Sequence, residues 1–181
     1  MKIAILAVIF AGVFATGASA SETLISEPDE SSYHFVSHYS IEINASANEV
    51  WNEMIDLGSW MTEFDLILES GVAGQAGEVR RLYSGQEFFI EITKVISNEL
   101  LVFANLPSEL NGEHSTGVAV ISLTENGATT TVKLTMSRRY SWDNEEPNPQ
   151  RLMRETPEFQ ERTRSMWNER FLPKLKSLSE S

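Results

Sequence analysis

The stretch GVAVISLTENGATTTVKLTM, residues 117 to 136, constrains this chain more than any other. Apolar and polar residues alternate on both sides of Asn126-Gly127, a dipeptide that tolerates positive φ and favours a tight type I′ hairpin turn. With those two residues at the centre, Leu123 faces Thr130, Ile121 faces Val132, Ala119 faces Leu134 and Gly117 faces Met136. The opposite face pairs Ser122 with Thr131, Val120 with Lys133 and Val118 with Thr135. One face is apolar and the other mostly polar, as in an antiparallel sheet packed on one side only. Such a sheet needs a cover.

A helix near the end of the sequence can supply it. Thr156 is suited to the N-cap, Pro157 to the first helical position, and Glu158 to the positive end of the helix dipole. Phe159, Thr163, Met166 and Trp167 continue one stripe, followed by Phe171, Leu175 and Leu178. Pro173 lacks an amide hydrogen and is expected to kink the helix, letting the stripe change azimuth.

The front of the chain adds further elements. YHFVSHYSIEIN, residues 33 to 44, alternates as a half-buried strand, with Phe35, Tyr39, Ile41 and Ile43 on one face and His34, His38, Ser40 and Glu42 on the other. Ser46-Ala47-Asn48-Glu49 is a capping box. Val50, Trp51, Met54 and Ile55 follow at helical spacing, and Gly58 suits the C′ position. Ser59 can open a second short turn carrying Trp60, Met61 and Phe64. Asn44-Ala45-Ser46 is formally a glycosylation sequon, but the cap already accounts for Ser46. EVRRLY and QEFFIEITKVI flank Ser84-Gly85, read as a two-residue turn. That turn sets Val79, Arg81, Tyr83, Phe88, Ile90 and Ile92 on one face. ELLVFANL reads as another strand, and PSELNGEHST and SRRYSWDNEEPNPQ as loops.

Residues 1–20 read as a signal peptide: Lys2, an apolar run from Ile3 to Phe14, and Ala18-Ser19-Ala20 as the cleavage site. The run is shorter than the ~20 residues a spanning helix needs, so no stable membrane anchor is expected after cleavage at Ala20. Residues 21–32 read as a disordered acidic leader and residues 33–181 as a single domain. The expected location is the periplasm or the outside of the cell. The chain has no cysteine, so an exported form must be held by its core rather than by disulfides. Loss of Lys2 leaves 13 basic against 26 acidic residues, a net charge of −13. That field repels phosphate backbones, and no nucleic-acid partner is expected.

Strand, capped helix pair, antiparallel meander and long terminal helix together resemble the START-like, or SRPBCC, superfamily. The resemblance runs from Tyr33 to Leu178. It is carried by IEINASANEVWNEMIDLGSW, by GEVRRLYSG leading to ITKVISNELLVF, by ENGATTTVKLTM and by MWNERFLPKLKSL. It implies an α+β helix-grip fold: a curved antiparallel sheet of about six to seven strands wrapped around the C-terminal helix, with two short helices after the first strand. It also implies an apolar cavity between sheet and helix, as in polyketide cyclases and dehydratases, lipid-transfer domains, plant pathogenesis-related ligand binders and co-chaperone activators. Trp60 and Phe64 would stand at its rim, with Trp51 packed beneath. Phe88, Ile90 and Met136 would line it from the sheet, and Thr163, Met166 and Trp167 from the helix. Tyr83 and Tyr140 would offer hydroxyls at its mouth. Arg81 and Arg170 either reach the surface or turn inward, where burial would demand a carboxylate such as Glu91 or an acidic ligand group.

Reactive chemistry has little support. There is no Cys, no G-x-S-x-G elbow and only three histidines, so nucleophilic catalysis, a bound metal and a cofactor are not expected. The leading expectation is binding of a small hydrophobic or amphipathic molecule. A cyclase- or dehydratase-type enzyme is the alternative, with Glu91 or His38 as its acid–base group. A protein-interaction module of the co-chaperone kind is the third reading.

Overall fold

The computed structural model describes residues 19–25, 32–84, 87–110, 113–142, 153–154 and 156–181. The chain runs β1 (Ser19–Ile25), β2 (Ser32–Ile43), α1 (Ala47–Ile55), α2 (Leu57–Trp60), β3 (Asp65–Ser70), β4 (Val79–Tyr83), β5 (Glu87–Ile96), β6 (Leu100–Leu110), β7 (Glu113–Asn126) and β8 (Thr129–Trp142). A C-terminal helix follows in three pieces: α3 (Pro157–Ser165), a π-helical turn (Met166–Phe171) and α4 (Leu172–Ser179). The strands form one antiparallel sheet in the order β1-β2-β8-β7-β6-β5-β4-β3, so the expected α+β architecture is the one found. The strand beyond the expected six or seven is β1. It pairs with the open edge of β2, so residues 21–25 of the stretch read as a loose leader lie in the sheet. An edge strand's unpaired backbone groups are a template for this pairing, and Thr23-Leu24-Ile25 suits it. The apolar run of the signal peptide and residues 26–31 lie outside the described residues.

Two hairpins depart from the sequence reading in instructive ways. Around the β7–β8 turn, Asn126 pairs with Thr129, Leu123 with Val132, Ile121 with Leu134, Ala119 with Met136 and Gly117 with Arg138. The central residues are therefore Gly127-Ala128, with Gly127 at φ +66°, the glycine position of a type II′ turn. This register is shifted by two residues, which keeps every side chain on its expected face. At the β4–β5 turn Tyr83 pairs with Glu87 and Leu82 with Phe88. Here the shift is one residue, and one residue flips every side chain of β4. Leu82 is buried and Tyr83 exposed. Arg81 lies outward between Glu69 and Glu87, 2.7 Å from each. Arg80 takes the inward place and pairs with the fully buried Glu78.

The capping box forms as read, with the Glu49 amide donating to Ser46 Oγ at 3.3 Å and the Ser46 amide to Glu49 Oε2 at 2.8 Å. The helix stops at Asp56 rather than Gly58, which instead lies inside α2. Trp60 is fully buried and its indole donates to the Met54 carbonyl at 3.0 Å. Its ring meets Phe171 edge-on at 6.4 Å and Trp167 at 6.3 Å. Phe171, Leu172 and Leu175 are buried beside it, so α4 is clamped against α1, α2 and β2. Polar contacts finish the clamp: the Asn44 amide donates to Glu180 at 2.6 Å and Lys176 Nζ to the Glu42 carbonyl at 2.7 Å.

Thr156 caps α3 by accepting from the Phe159 amide, with Pro157 at the start of the helix. At the π turn the Leu172 amide donates to Trp167, five residues back. Pro173 has no amide hydrogen for the carbonyl four residues before it, and the ladder slips in the turn ahead of it. The interruption expected at Pro173 is therefore spread over Met166–Phe171. Beyond the slip the helix is core. Before it, α3 buries no residue completely.

Phe171→Ala should lower unfolding free energy by about 3–5 kcal/mol, and Ser46→Ala by about 1 kcal/mol, in denaturant titrations. Lys176 and the Asn44 amide hold the Glu180 carboxyl below its ordinary value of 4.5. Its contribution is therefore complete above the unfolded value and lost as pH falls through the lower folded one. Glu180→Gln should flatten the acid limb of a stability–pH curve and leave its neutral region almost unchanged in shape.

Candidate functional site

Because α3 stands off the sheet, a cavity of about 430 Å³ lies between them. Phe64, Phe88, Met136, Phe159, Met166 and Trp167 give its wall an apolar part. The remainder is polar, including Asn105, Glu113, Ser115, Arg138, Tyr140 and Arg154. An apolar recess of about 20 Å³ shares Phe64, Phe88, Met136, Arg138, Met166 and Trp167 with the cavity and adds Met61, Leu82, Ile90 and Phe103. Three of its walls are methionines, whose unbranched side chains repack readily around a guest.

Met136, Arg138 and Tyr140 succeed one another on the inward face of β8, where alternate residues must point the same way. Opposite Arg138 on β7 stands Gly117. A Cβ at that glycine would lie 2.9 Å from Arg138 Cγ and 2.9 Å from the Ser137 carbonyl. The bare backbone there is what lets the arginine stem lie across the neighbouring strand. Arg138 is half-buried, and its one polar contact among the described residues is with the Tyr140 hydroxyl, to which Nη1 donates at a long 3.4 Å.

The other arginines are occupied differently. Arg154 Nη2 donates to the buried Glu113 at 3.1 Å, and its guanidinium lies 4.8 Å from the Tyr140 ring centre and 4.6 Å from that of Phe159. Arg170 meets Glu63 at 2.9 Å at the exposed mouth. Arg162 lies 5.7 Å from the Phe159 ring centre. Tyr39 packs beside Trp167, and burial pushes its hydroxyl above the ordinary value. A hydrogen bond from Ser37 and the positive charges of Arg164 and Arg138 partly offset that rise. The Trp167 indole N–H is buried with no hydrogen-bond partner among the described residues.

Of the candidates read from sequence, Phe64, Phe88, Met136, Tyr140, Thr163, Met166, Trp167 and Arg170 line the cavity, and Ile90 lines the recess. Trp60 is core rather than rim. Arg81 and Tyr83 lie on the outer face, carried there by the one-residue shift of β4. Neither Glu91 nor His38 lines the cavity, and His38 bonds Thr135 instead. Sequence reading missed Glu113, Arg138, Arg154, Phe159 and Arg162. A signal for Arg138 was available: continuing the alternation of β8 past Met136 places Arg138, Tyr140 and Trp142 on the packed face. Glu113 sat in a stretch read as a loop, and Arg154 between the second such stretch and the Thr156 cap, where no period points. Among the described residues no three His, Asp or Glu converge as metal ligands, and no helix is long and apolar enough to cross a membrane.

Comparison of the sequence with protein families and with curated proteins finds no match. Solved structures do match. Ara h 8.0201 superposes with a TM-score of 0.55 at 8% identity, covering 80% of this chain and 97% of its own. Truncated norcoclaurine synthase from Thalictrum flavum gives 0.53 at 14% identity, covering 82% and 94%. The Aha1 dimer from Colwellia psychrerythraea gives 0.53 at 22%, covering 79% and 94%. The fold is a helix grip. In this helix grip the C-terminal helix is held at one end by α4 and leaves the sheet along α3, and the space it leaves is the candidate site.

The Arg154–Glu113 pair closes one end of that space. Glu113→Gln should lower stability by about 1–3 kcal/mol, because it leaves the half-buried Arg154 guanidinium without its counter-charge. Glu161→Gln, which breaks the exposed pair with Arg164, should change stability by less than about 1 kcal/mol. Thermal or chemical denaturation of the two variants checks both.

Proposed function

We propose that this chain binds a small hydrophobic or amphipathic molecule between the sheet and α3. The observation that carries this reading is the cavity of about 430 Å³ with an apolar recess beside it, within the ~300–1,000 Å³ usual for small-molecule sites. The helix-grip fold shared with Ara h 8.0201 and norcoclaurine synthase is consistent with this placement of a guest between sheet and helix. Covering about 300 Å² of apolar ligand surface contributes roughly 7 kcal/mol gross. Association and ordering costs reduce that to ordinary micromolar affinity. The enzyme alternative has lost its two named acid–base candidates, since Glu91 and His38 lie away from the cavity.

The signal-peptide reading places this binding outside the cytoplasm, in the periplasm or beyond the cell. Lys2, the apolar run and Ala18-Ser19-Ala20 support it. Cleavage after Ala20 would keep Ser21–Ile25 available to pair with β2. N-terminal sequencing of the protein recovered from a periplasmic or culture fraction should begin at Ser21, and a start at Met1 would remove this part of the proposal.

Titration with the neutral fluorophore N-phenyl-1-naphthylamine should give saturable emission enhancement at micromolar concentration. Met166→Trp, which fills the wall shared by cavity and recess, should weaken that binding at least tenfold while the far-UV circular dichroism stays unchanged. A wild-type protein that binds neither this probe nor any extractable small molecule would refute the proposal.

A further inference from the structure

We infer that the guest of this cavity is an amphipathic anion: an apolar body carrying one oxyanionic head, which Arg138 receives. The inference rests on the ligand-binding reading above and adds the charge and orientation of the ligand. Its first support is an imbalance. Among the described residues the cavity wall holds four arginines, Arg138, Arg154, Arg162 and Arg170, against two glutamates, Glu63 and Glu113. Each glutamate is already engaged, Glu113 by Arg154 and Glu63 by Arg170. Arg138 and Arg162 have no carboxylate partner among the described residues, in a chain whose formal net charge is −12. Acidic residues are abundant, yet among the described residues none is paired with Arg138.

The second support is placement. The Arg138 guanidinium borders the cavity with no carboxylate against it among the described residues, so an anionic guest would meet an unneutralised charge there. Alternation along β8 points Arg138 inward, between Met136 and Tyr140, so its charge is presented to the cavity. Gly117 provides the space its stem occupies. Arg138 also borders both the cavity and the apolar recess. An oxyanion bound there, bidentately in the manner guanidinium favours, leaves the apolar body facing Phe64, Phe88, Met136 and Met166. The Tyr140 hydroxyl stands beside the same head. A planar carboxylate and a tetrahedral phosphoester share this chemistry.

The test is displacement of N-phenyl-1-naphthylamine from the mature protein at neutral pH by decanoate, decyl phosphate and decanol. The two anions should displace the probe at least about tenfold better than decanol, as a charge-assisted hydrogen bond allows; which anion is stronger then separates a free acid from a phosphorylated lipid. Arg138→Gln should weaken both anions by about tenfold to a hundredfold and decanol by less than about threefold. Arg81→Gln, on the outer face, should leave all three unchanged. If Arg138→Gln does not fold, the wild type still decides, because the anion advantage should shrink with added salt. Equal displacement by decanol and the anions, or an anion advantage that survives both Arg138→Gln and high salt, overturns the inference while leaving ligand binding intact. Failure of the probe and all three competitors to bind overturns both.

Discussion

Pro173 cannot donate a backbone hydrogen bond, and the shape of the molecule follows from how the helix absorbs that loss. The ladder slips to a five-residue return at Leu172, and the apolar stripe changes direction at Met166–Phe171. At the end of the slip and past it, Phe171, Leu172 and Leu175 sink into the cluster built on Trp60, Met54 and Leu57. Before it, α3 has no fully buried residue and reaches the sheet at β2, where Gln160 Nε2 donates to the Tyr33 hydroxyl at 3.0 Å. The cavity thus lies along the part of the helix that precedes the slip, while the packing beyond it fixes the other end.

Holding a cavity open costs the dispersion contacts its lining would otherwise make. The clamp at α4 offsets that cost locally, through the T-shaped contacts of Phe171 with Trp60 and Trp167. At the opposite end Arg154 lies between the rings of Tyr140 and Phe159 and binds Glu113. One end is closed by packing and the other by a paired charge between aromatic rings. Arg138 borders the same space, with no carboxylate partner among the described residues.

Much of this was legible before any coordinates. Both helix caps form on the residues that sequence assigns to them, Ser46 with Glu49 and Thr156 with Pro157, because a cap is a local bargain between neighbours. The inward face of β7 and β8 was legible too, since a two-residue register error leaves parity intact. The site was legible only where parity held. Phe88, Met136 and Tyr140 fall where expected, whereas Arg81 and Tyr83 do not, because the turn after Tyr83 is one residue longer than read and every side chain of β4 changes sides.

Sequence alone determined what is local or periodic: the capped helices, the alternating strands, the proline that interrupts the last helix, and the resemblance built from them. Tertiary structure decided which arginine faces the cavity, where the helix leaves the sheet, and that Trp60 is core. Those outcomes depend on registers and contacts between residues far apart in the chain, where a one-residue slip costs little locally and inverts a face. No local propensity encodes whether Gly117 will stand across from Met136 or from Arg138; the packing of the whole sheet settles it.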